Sequence, residues 1–110
     1  MPHAELRYSK ELQIDALAIL AEIEAIIQRH DPASGACKGR AYPAAQSHHR
    51  HLLLSLSLLE KPHRDDAFTH ALMAEIEAAV KARIPEPCYF SFGLDYSRGY
   101  YVTNKHEGAT

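Results

Sequence analysis

Two cysteines, no tryptophan and no excess of positive charge set the first limits on this 110-residue chain. Cys37 and Cys88 are too few for a disulfide framework and lack metal-ligand spacing, so a reduced, cytoplasmic setting is expected. Twelve Lys and Arg against fourteen Asp and Glu leave a net charge of −2. A chain so balanced has little with which to neutralise a phosphate backbone, and no nucleic-acid partner is expected. The longest uncharged apolar run, Leu52 to Leu59, has eight residues, two of them serine. A bilayer span needs ~20. Met1-Pro2-His3-Ala4-Glu5 carries no apolar signal-peptide core. Glycine-rich phosphate loops and Gly-x-Ser-x-Gly are absent as well. What remains is ordinary: 46% hydrophobic and 24% charged residues, enough for one domain to bury its own core.

The patterning alternates between two periods. Ala4, Leu6 and Tyr8 alternate with His3, Glu5 and Arg7, the mark of a half-buried strand. Leu12 to Arg29 reads as a helix, with Leu17, Leu20, Ile23 and Ile27 at helical spacing. Asp31-Pro32-Ala33-Ser34-Gly35 stops it. Residues 36–42 read as a second strand and 43–48 as a loop. Arg50 to Leu59 is a strand with Leu52, Leu54, Leu56 and Leu58 on one face. Lys61 to Asp66 opens a second helix, carried by Phe68, Leu72, Ile76 and Val80 and ended by Pro85 and Pro87. Residues 89–96 form the last main strand, 100–103 a short edge strand, and 104–110 a loose tail.

Ala21-Glu22-Ile23-Glu24-Ala25 recurs letter for letter as Ala74-Glu75-Ile76-Glu77-Ala78, 53 residues on. With the matching order of elements, this predicts an internal duplication. The expected architecture is an α/β fold of tandem βαβ units, 2–42 and 50–96, in a single domain over 1–103. Crossover strands should be parallel and the crossovers right-handed. Four strands then form one sheet with both helices on one face. Leu53, Leu59 and the tyrosines on the other face would pack against copies of the chain.

The chemistry-bearing candidates begin at the N-terminus. An initiator methionine is usually trimmed when a small residue such as proline follows. Pro2 would then carry a free secondary amine at the start of the first strand. An apolar setting and nearby cations disfavour the protonated form of such an amine, which makes it a competent general base at pH 7. The eight histidines are the other conspicuous feature. His49 and His51 share a strand face, but no acid or cysteine is close in sequence to complete a site, so no metal is expected. Cys37 and Cys88 read as small packed residues.

Met1-Pro2-His3, Tyr8-Ser9, Lys38-Gly39-Arg40-Ala41, Lys61 and Ser91-Phe92-Gly93-Leu94, in that order and spacing, resemble the tautomerase superfamily. Within it the sequence is most similar to 5-carboxymethyl-2-hydroxymuconate isomerase, over roughly residues 1–96. The resemblance implies a homotrimer that needs no cofactor. It would move a proton on a small acidic substrate, an unsaturated keto or enol acid, with Pro2 as the base. Lys38 and Lys61 stand where the family more often has arginine, and Arg40, two residues from Lys38, would supply a guanidinium. With His3 beside the base, these residues are the expected contacts to carboxylate and enolate oxygens. Arg7 stands where the family usually has an acid before Tyr-Ser. Lysines at arginine positions also suit a different kind of protein, a non-enzymatic oligomeric binding module of the same fold. Lys38 and Arg40 also have a plain reading as residues of an exposed strand face, solvated or paired with Asp95.

Overall fold

The computed structural model describes residues 1–109. The chain runs β1 (His3–Ser9), α1 (Ala16–His30), β2 (Lys38–Ala44), β3 (His51–Leu59), α2 (Asp66–Lys81) and β4 (Tyr89–Ser97). The sheet order is β2-β1-β3-β4. β1 pairs parallel with β2, and β3 with β4, as each βαβ unit requires. The two units join antiparallel through β1 and β3, with His3 opposite Ser57 and Leu6 opposite Leu54.

One sheet face is apolar and buried. Ala4, Leu6, Leu52, Leu54, Leu56 and Leu58 are each at most 1% exposed, and they pack in one core with Ile19, Ile23, Ile26 and Ile27 of α1 and Leu72, Ile76 and Val80 of α2. Both helices therefore lie on the same face. Phe90, Phe92, Leu94 and Tyr96 of β4 line the margin of this core. Neither helix is long and apolar enough to cross a membrane.

The helix starts are set by aspartates. Asp15 caps α1 by accepting from the Ala18 amide (3.1 Å), and Asp65 caps α2 by accepting from the Phe68 amide (2.9 Å). The helix therefore starts about a turn later than the expected Leu12; the Leu12 amide instead closes a turn on the Ser9 carbonyl (3.0 Å). The two caps are 50 residues apart, not 53. The repeated pentapeptide is thus displaced by about one helical turn between structurally matching positions. A one-turn displacement keeps the same face inward, which is why Ile23 and Ile76 are both fully buried.

Strand boundaries also move: β2, and with it the first βαβ unit, ends at Ala44 rather than residue 42. β2 begins at Lys38 rather than residue 36, because the Cys37 amide donates to the Glu24 carboxylate (2.8 Å). The expected edge strand over residues 100–103 is absent. Gly99, at φ +54°, turns the chain away from β4, and residues 101–109 have no regular structure. Thr110 of the expected tail lies outside the described residues.

Gly39 on β2 sits directly beneath α1. A Cβ built there would lie 2.9 Å from Leu20 Cδ2 and 3.3 Å from Leu20 Cβ. Gly39→Val is expected to destabilise the fold by about 1–3 kcal/mol through overpacking. Urea unfolding reads this directly; an unchanged midpoint would mean that the Leu20 side chain turns aside.

Candidate functional site

Pro2 is buried immediately ahead of β1, a central strand. Its carbonyl accepts from the Lys38 amide (2.9 Å), so the β1–β2 ladder fixes its position. With Met1 attached, its nitrogen is a tertiary amide and has no basic lone pair. Parallel pairing puts His3 opposite Lys38 and Glu5 opposite Arg40, on the sheet face away from the helices. Pro2, His3, Lys38 and Arg40 are thus brought together at one corner of the sheet.

Arg40 does not reach toward Asp95, which lies on β4 at the far edge of the sheet. Its Nη1 pairs with Glu5 Oε2 (3.3 Å) and its Nη2 lies 3.4 Å from His3 Nδ1. Glu5 also pairs with Arg7 (2.7 Å), whose guanidinium stacks 4.8 Å from the Tyr42 ring centroid. Burial first, and Arg40 next, hold His3 below the usual imidazole range. The ring is therefore neutral at pH 7. Lys38 is exposed and makes no side-chain ion pair among the described residues. Lys61 is not part of a helix start: it sits in the β3–α2 connection, five residues ahead of Asp66. β3 runs antiparallel to β1, so this connection leaves the sheet at the same end as Pro2. No hydrogen bond or ion pair links the Lys61 side chain to the other candidates among the described residues.

Sequence patterning did not single out Tyr101. Its hydroxyl donates to the Met1 carbonyl (3.1 Å) and lies 3.0 Å from His3 Nε2. Its ring meets the His3 ring edge-on, with centroids 6.3 Å apart. Thr103 Oγ1 lies 3.6 Å from the Met1 sulfur. The segment after β4 thus returns over the N-terminus.

The other candidates are separate. Burial, then the neighbouring Glu24, pushes the Cys37 thiol up to about 11, where it is not a nucleophile. His51 Nδ1 lies 3.0 Å from the His49 carbonyl, whereas the His49 ring packs edge-on against Tyr89. A cleft of about 340 Å³ lined by His49, Arg50, Pro87, Cys88 and Tyr89 opens at the opposite end of β3 from Pro2, roughly 20 Å away by strand rise. No three His, Cys, Asp or Glu side chains converge to hold a metal among the described residues.

No protein-family model matches the chain, and no curated protein matches it by sequence. Solved structures do. A 5-carboxymethyl-2-hydroxymuconate delta-isomerase superposes with a TM-score of 0.73 at 17% identity, covering 96% of this chain and 89% of that one. The chain has the tautomerase fold. A macrophage migration inhibitory factor-like protein from Entamoeba histolytica matches with a TM-score of 0.68 at 10% identity, over 96% of each chain. A 5-carboxymethyl-2-hydroxymuconate isomerase from Deinococcus radiodurans R1 gives 0.61 at 17% identity, over 94% of this chain and 90% of that one. The tautomerase fold accounts for the order of the elements, the parallel pairs and the antiparallel join.

Proposed function

We propose that the chain is a cofactor-independent isomerase that moves a proton on a small unsaturated keto or enol acid, of the 5-carboxymethyl-2-hydroxymuconate kind. Pro2, freed by removal of Met1, is the general base. The observation that carries this reading is the buried Pro2 fixed by the ladder to Lys38, with two cations, Lys38 and Arg40, on the adjoining strand. A base must be positioned, and its neutral form must dominate at working pH. Burial and cations favour the neutral amine. Lys38, Arg40 and Lys61 supply positive charge for carboxylates, with lysine giving charge where arginine would add a bidentate fork.

The working form is proposed to be a homotrimer. Tyr42, Leu53 and Tyr89 are 41%, 38% and 70% exposed on the sheet face away from the helices, a surface suited to a second copy. The second reading is the non-enzymatic binding module. The Met1–Pro2 amide, with its carbonyl held by Tyr101, favours it for as long as Met1 stays in place.

The test compares two purified forms, one beginning at Met1 and one at Pro2, each verified by intact mass. With 2-hydroxymuconate as the probe, ketonisation followed by ultraviolet absorbance should exceed the buffer rate only for the form beginning at Pro2. Equal rates in both forms would remove the amine from the mechanism.

A further inference from the structure

Tyr101 is half-buried, whereas residues 98–100 and 102–109 around it are exposed. The contacts that hold it form a chain whose direction follows from the chemistry of its members. A guanidinium only donates, so His3 Nδ1 must accept from Arg40 Nη2. The proton of the neutral ring is then on Nε2, which donates to the Tyr101 oxygen at 3.0 Å. The tyrosine proton is left to donate to the Met1 carbonyl oxygen at 3.1 Å. Every donor points toward that one oxygen.

The oxygen occupies a telling place. An amide oxygen is about 2.3 Å from its own nitrogen, so the Tyr101 hydroxyl lies within about 5.4 Å of the Pro2 nitrogen. When Met1 is removed, the Pro2 amine and the Tyr101 hydroxyl face one space, and the hydroxyl has lost its acceptor. A dienol oxygen that gives up its proton to Pro2 restores that hydrogen bond.

We propose that Tyr101 is a catalytic residue that donates a hydrogen bond to the substrate's carbonyl or enolate oxygen, with the Met1 carbonyl oxygen marking where that oxygen binds. This deepens the proposal above and rests on Pro2 being the base. His3 and Arg40 act through Tyr101 as positioning residues; their hydrogen bonds leave its proton pointed at the substrate. In the ketonisation of 2-hydroxymuconate, the Pro2 amine takes the proton of the dienol hydroxyl, and the O–H electron pair stays on oxygen as the dienolate. The Tyr101 hydrogen bond strengthens as that charge grows, and its proton stays on tyrosine. The Pro2 ammonium returns the proton to the far carbon of the conjugated system, and the oxygen pair reforms the carbonyl. Atoms and electrons balance without a co-reactant.

Tyr101→Phe tests this, since it keeps the ring against His3 and removes only the donor. In the form beginning at Pro2, kcat for 2-hydroxymuconate should fall about 100-fold, with KM changed less than threefold and the thermal midpoint within 2 °C. A kcat within threefold of the parent would overturn the proposal. If the parent itself shows no turnover, the isomerase reading fails for this substrate, and oxalate separates the two claims. Oxalate resembles the enolate of an α-keto acid, and calorimetry reads its binding without any reaction. Binding to the parent that weakens about tenfold in Tyr101→Phe supports a donor at this position. Equal binding in both, or no binding to the parent, rejects it.

Discussion

In a chain that begins at Pro2, Pro2→Ala lowers the rate of dienol ketonisation about a thousandfold and leaves the oligomer unchanged. The expected size follows from the role. A positioned general base contributes roughly 10²–10⁴ in rate. Alanine keeps an amine at the same chain position but loses the ring that fixes its direction. Pro2 contributes its carbonyl, not its nitrogen, to the β1–β2 ladder, so the backbone bond to Lys38 survives the change. Steady-state kinetics together with size-exclusion chromatography check both halves. Turnover within threefold of the parent would leave the base unassigned. A loss of turnover accompanied by dissociation would give Pro2 a structural role instead.

The second large effect concerns stability. Arg64→Leu should cost about 3–5 kcal/mol, because it strands a buried carboxylate. Asp31 and Arg64 are 6% and 8% exposed. Arg64 reaches the same carboxylate oxygen of Asp31 with Nη2 (2.7 Å) and Nε (3.0 Å), and its Nη1 donates to the Leu59 carbonyl (2.7 Å). His63 adds a third contact to that oxygen (2.9 Å). The pair ties the end of α1 to the β3–α2 connection, the segment that carries Lys61. The hydrogen bond from His63 first, and then Arg64, bring the Asp31 carboxyl down to about 2 from 3.8. A carboxyl with a lowered folded value stabilises fully above its unfolded value. That contribution is lost as the pH falls from about 4 through 2, and amounts to about 2 kcal/mol. Urea unfolding at fixed protein concentration should show the Arg64→Leu loss at pH 7 and a smaller one near pH 2. A loss below 1 kcal/mol at pH 7 would mean that His63 and solvent hold Asp31 without Arg64.

The fold was legible where a period was strong. Leu52, Leu54, Leu56 and Leu58 mark β3 and its buried face without ambiguity, and the βαβ order fixes which strands run parallel. Boundaries were less legible, because side chains decided them. Asp15 caps α1 a turn after the apolar pattern begins, and Glu24 takes the Cys37 amide out of the sheet. Pro2, His3, Lys38 and Arg40 gather at one corner because parallel pairing of β1 with β2 aligns them. The partner of Arg40 was misplaced for the same reason. Glu5 is a direct neighbour across the ladder, whereas Asp95 is separated from β2 by β1 and β3. Asp31 read as a helix stop and Arg64 as a helix opening, and nothing local in either stretch says that they meet. Tyr101 was hidden by its surroundings. Tyr100-Tyr101-Val102-Thr103 has the aromatic and β-branched content of a strand, and only the turn at Gly99 carries it back to the N-terminus.

The most direct measurement is the pH dependence of kcat/KM for dienol ketonisation by the form beginning at Pro2. With Pro2 the base, the rate should rise through an ionisation below the ordinary α-amino range of about 7.7–8.0 and then stay level. An activity at the buffer rate, or a profile flat from pH 5 to 9, would contradict the assignment of the Pro2 amine as the base.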